Sequence, residues 1–117
     1  MKEIKAYIRQ HRIADVLQAL RDSGICDPAT CDRATSERGC HLTVSQVQRP
    51  LAGADPSQQH YSMELAEPVV AEYKLELVCV ADAVGALVEV IAKAAHTGRP
   101  EAGWIYVSEV QRAVEIR

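Results

Sequence analysis

Hydrophobic and polar positions along the chain fall into two rhythms, and the changes of rhythm mark the elements. Ile4, Ala6 and Ile8 point one way while Glu3, Lys5, Tyr7 and Arg9 point the other, the two-residue period of a half-buried strand. From about Arg12 the period lengthens. Ile13, Val16, Leu17 and Leu20 form one helical stripe, and Gly24 is placed to close that helix. A second strand is predicted over about 41–49, where Leu42 and Val44 alternate with Thr43 and Ser45. A third follows where Tyr73, Leu75, Leu77 and Cys79 alternate with Lys74, Glu76, Val78 and Val80. Asp82 stands at a predicted N-cap, after which Val84, Leu87, Val88, Ile91 and Ala95 recur at helical spacing. The run 96–103 stops this second helix, with Gly98 suited to a left-handed C-cap and Pro100 unable to continue the helix. Trp104-Ile105-Tyr106-Val107 then reads as a fourth strand.

Two stretches lack either rhythm. Cys26 to Cys40 is polar and turn-rich, which predicts a surface loop, and Pro50 to about Pro68 reads as a long irregular connection. The order β-α-β-loop-β-α-β predicts an α+β fold of the ferredoxin-like βαββαβ type, with an antiparallel four-stranded sheet and both helices on one face. Such a sheet keeps its other face, expected here to be apolar, for a partner. A length of 117 residues suits a single domain, 1–117.

Composition narrows the functional classes. A net charge of -3 without a basic patch argues against nucleic acid as a partner. No apolar run approaches the roughly 20 residues needed to cross a bilayer, so no direct membrane insertion is expected. The N-terminus has no apolar signal core, which points to a cytoplasmic protein whose four cysteines are thiols or metal ligands. Cys31, Cys40 and His41 are the candidate metal ligands, since thiolate and imidazole suit soft or borderline ions such as Zn²⁺ and Cu⁺. Their spacing matches no zinc signature, and the alternative is a loop with two solvent-facing thiols. Cys79, on the apolar side of its strand, reads as packing. Serines lack an elbow or triad context, and Glu64, Glu67 and Glu72 read as solvating charges, so the chain is not expected to be an enzyme.

Several runs carry a resemblance. Met1 to Arg9, Leu42 to Val47 and Tyr73 to Val78 resemble the first three strands of the PII signal-transduction family. Ala94-Ala95-His96-Thr97-Gly98-Arg99, with Gly103 and the Ile105-Tyr106-Val107 strand, is similar to that family's second-helix end, B-loop and fourth strand. Residues 26–41 then read as an insertion, and 50–68 as the equivalent of the family's target-binding T-loop. The resemblance implies a homotrimeric, non-enzymatic regulator with a nucleotide cleft between neighbouring subunits. It implies a protein target, such as a membrane transporter in bicarbonate or heavy-metal efflux systems. Thr43, Glu76, Val78, Thr97, Gly98, Gly103 and Arg117 match cleft-lining positions. Departures from the family shape the expected ligand. Arg49-Pro50-Leu51-Ala52-Gly53-Ala54 replaces a glycine-rich phosphate turn, Trp104 replaces a phosphate-facing lysine, and Glu115 replaces one of two terminal arginines. The modifiable T-loop tyrosine falls at Leu65. The resemblance so amended implies a smaller adenylate (ADP or AMP), another anion or a soft metal as effector, with ATP disfavoured. The alternative is a metal-tolerance protein that binds its ion in the insertion.

Overall fold

The structure is a computed structural model that describes residues 1–25, 41–50, 59–114 and 116–117. Its elements are β1 (Lys2–Arg9), α1 (Ile13–Ser23), β2 (His41–Pro50), β3 (Gln59–Ser62), β4 (Glu67–Cys79), α2 (Val84–Ala94) and β5 (Trp104–Glu109). All pairings are antiparallel, in the order β2-β4-β1-β5, and β3 pairs with the start of β4. This is the expected ferredoxin-like arrangement with one strand more. β1 pairs with residues 72–79 of β4 and β3 with residues 67–70, so the hairpin β3–β4 extends the sheet beyond its main body. The connection read as irregular over 50–68 is therefore partly strand, and its residues 51–58 lie outside the described residues. Gln59 to Ser62 carry no alternation, and at the start of β4 Val69 and Val70 are both buried although adjacent, which breaks the two-residue period.

The core is the one the alternation foretold. Ile4, Ala6 and Ile8 from β1 and Leu75, Leu77 and Cys79 from β4 meet Val16 and Leu20 of α1 and Leu87 and Ile91 of α2, all buried. Ile13, Leu17 and Leu42 pack at its margin. Gly24 closes α1 in a left-handed conformation, φ 69°, and donates its N–H to the Arg21 carbonyl at 3.1 Å.

The start and end of α2 differ from expectation. Asp82 lies in a single 3-10 turn, Ala81–Ala83, and α2 starts after Ala83 without a side-chain cap. At the far end Ala95, in a right-handed conformation, is the C-cap, and left-handed Gly98 (φ 78°) belongs to the turn beyond it. The cap of α2 is supplied from another element instead. Arg12, in the 3-10 turn Gln10–Arg12, donates from Nε (3.0 Å) and Nη2 (2.6 Å) to the Ala94 carbonyl. A cation there pairs an orphaned carbonyl and opposes the negative end of the helix dipole.

Gly85 is the second residue of α2, and a Cβ built there meets nothing within 4 Å. Gly85→Ala is therefore expected to stabilise the fold by about 0.5–1 kcal/mol through the unfolded chain's lost freedom. A urea midpoint that fell on this substitution would contradict the open surroundings of the position.

Candidate functional site on the open sheet face

Strand register places the side chains of the uncovered face in rows. One row holds Thr43, Glu76, Lys5 and Tyr106; the next holds Ser45, Lys74, Tyr7 and Trp104. This face is charged and aromatic, which corrects the apolar surface expected for it. Lys74 Nζ lies 2.8 Å from Glu76 Oε1, and Lys5 Nζ lies 3.3 Å from Glu3 Oε1. The Lys74 hydrogen bond, with its charge, holds the Glu76 carboxyl below its ordinary range, and Glu76 in turn raises the Lys74 ammonium. The carboxylate's share of this pairing is present above the unfolded carboxyl range and is lost as pH falls through the depressed value. Tyr7 meets Tyr106 edge to face, with centroids 6.1 Å apart. An open depression of about 510 Å³ lies over these residues, lined by Lys5, Tyr7, Arg49, Lys74 and Tyr106 among others.

At the edge of this depression sits a buried carboxylate. Glu72 is 1% exposed, a correction of its reading as a solvating charge. Arg49 Nε lies 2.9 Å from Glu72 Oε1, and Arg9 Nη1 lies 3.6 Å from Glu72 Oε2. Register brings them together, because Arg9 pairs with Glu72 across β1 and β4, while Arg49 pairs with Val70 two residues along β4. The Arg49 guanidinium also lies over the Tyr7 ring, 4.8 Å from its centroid. Arg9 Nη2 donates to the Glu101 carbonyl at 3.1 Å, which ties β1 to the turn before β5. Glu101 has φ 54°, a left-handed conformation uncommon outside glycine.

The residues expected to line a cleft occupy separate places in the single chain. Thr43, Glu76 and Val78 are neighbours on β2 and β4. Thr97 and Gly98 lie in the turn after α2, where Thr97 Oγ1 accepts the Arg99 N–H at 3.3 Å. Gly103 is pressed against β1, and Arg117 lies in the segment after β5, whose described residues form neither strand nor helix. Trp104 is half-exposed. Of the candidate metal ligands, His41 is an exposed residue at the start of β2, while Cys31 and Cys40 lie outside the described residues. Among the described residues, no group of three or more His, Cys, Asp or Glu side chains could hold an ion. Nor, among them, is any helix long and apolar enough to cross a membrane.

Comparison with known proteins supplies the frame for these positions. The model of the family described as nitrogen regulatory protein P-II matches residues 1–117. The chain belongs to the P-II family. A P-II protein of Mesorhizobium japonicum is 29% identical over all of this chain and 92% of its own length. One from the alga Porphyra purpurea and the GlnK protein of Escherichia coli are each 26% identical over the same shares. This P-II protein thus aligns along most of the length of those relatives while differing from each at about three residues in four. Sequence reading missed Arg9, Arg49 and Glu72 because like or unlike charge carries no sign of pairing until strands are in register.

Proposed function

We propose that this chain is a homotrimeric, non-enzymatic regulator that senses a small anionic effector, ADP or AMP in preference to ATP, at clefts between subunits. It acts on a protein partner, such as a membrane transporter, through residues 50–68. The match to the P-II family over the whole chain carries this reading. The separation of Thr43, Glu76 and Val78 from Thr97, Gly98 and Gly103 within one subunit supports a cleft completed by a second copy. The half-exposed Trp104 offers a stacking face where the family places a lysine, and Glu101 adds negative charge nearby, which disfavours a triphosphate.

Light scattering is expected to give three times the chain mass of 12.8 kDa. Calorimetry is expected to show ADP or AMP binding more tightly than ATP, with that binding lost in Arg117→Ala. A monomeric mass, or no heat with any adenylate, would overturn the proposal.

A further inference from the structure

Glu72 is a charged side chain in a place that excludes water. It makes close ion pairs with two guanidiniums, yet neither of its oxygens, nor Arg9 Nη1, forms an aligned hydrogen bond. The carboxylate is held by charge rather than by directed bonds. Both arginines are fixed by contacts that do not involve Glu72: Arg9 through the Glu101 carbonyl, Arg49 through the Tyr7 ring. Two preorganised guanidiniums, one 10% and the other 24% exposed, make a seat for an oxyanion. The seat adjoins the depression that Arg49 and Tyr7 line together with Lys5 and Lys74.

We infer that Arg9 and Arg49 form a carboxylate-binding seat and that Glu72 is its built-in occupant, closing the seat to free anions. An internal carboxylate on its own strand has a high effective concentration, so a free monoanion at millimolar levels does not displace it. The depression beside it is thereby relieved of part of its positive charge, and a ligand with several negative charges loses the arginine partners it would otherwise recruit. The inference concerns the chain's own side chains and stands whether or not adenylates bind between subunits.

The atoms removed by Glu72→Ala correspond to one acetate ion, and this gives the test. This variant of the whole chain is expected to melt about 10 °C below the parent protein, because buried Arg9 and partly buried Arg49 lose their counter-charge. Sodium acetate should then raise its melting temperature in a concentration-dependent way, beyond sodium chloride at equal ionic strength. It should not do so for the parent protein or for Glu72→Ala combined with Arg49→Ala. Equal effects of acetate and chloride on Glu72→Ala, or an equal acetate effect on the parent protein, would overturn the inference. Should Glu72→Ala fail to fold unaided, its refolding from urea in sodium acetate is compared with refolding in sodium chloride at equal ionic strength. More folded protein in acetate is expected, and no more than in chloride would refute the seat.

Discussion

Leu77→Ala is expected to cost about 3–4 kcal/mol of folding stability, the range for emptying a fully buried leucine site. Leu77 is 0% exposed near the C-terminal end of β4, with Ile4 paired to it on one side and Leu42 on the other. Its surroundings are strand backbone on both sides, and the helices α1 and α2 close the core above the sheet. Strands tied by ladder hydrogen bonds cannot collapse into the space left behind, which places the cost above the bare transfer value of the lost methyl groups. Urea unfolding of the variant should show an unchanged slope and a lower midpoint. A loss below about 1 kcal/mol would mean that the sheet relaxes around the site.

Gly103→Ala should cost about 3 kcal/mol, for a reason that has nothing to do with φ. A Cβ at this position would overlap the carbonyl oxygen of Tyr7, which is backbone and has no rotamer through which to retreat. Trp104, the next residue, pairs with Tyr7 across β1 and β5, so relief requires the entry of β5 to move away from β1. Over-packing a fixed backbone contact costs about 1–3 kcal/mol, occasionally more, and the lack of a flexible partner puts this case at the upper end. The experiment is a comparison of Gly103→Ala with Gly85→Ala. The same added methyl should destabilise at the first position and stabilise at the second. If both variants gained stability, the close approach of residue 103 to β1 would be wrong. In this chain the task that the structure gives Gly103 is to let two strands meet.

Much of the architecture was legible because burial on one face leaves a period in the sequence. Ile4, Ala6 and Ile8 announced β1, Leu75, Leu77 and Cys79 announced β4, and Val16 and Leu20 announced the buried stripe of α1. Gly24 announced the end of that helix. Asp82 misled, because a capping residue type is only a local preference and the chain makes a 3-10 turn there before α2 begins. The hairpin formed by β3 and β4 was hidden for a different reason. Gln59, His60, Tyr61 and Ser62 carry no alternation, and only the backbone groups of Glu67 to Val70 give them a place to pair.

The amino-acid order by itself therefore determined the element sequence apart from β3, the helix-facing half of the sheet and the kinship with P-II proteins. What only the tertiary structure decided is the chemistry of the opposite face. Arg9, Arg49 and Glu72 lie on three strands, 23 and 40 residues apart in sequence, and each alone resembles a solvated surface charge. Hydrophobic burial is a property of single positions and so leaves a mark in one strand at a time. An ion pair is a property of distance between strands, and it exists only once register has set which residues stand side by side.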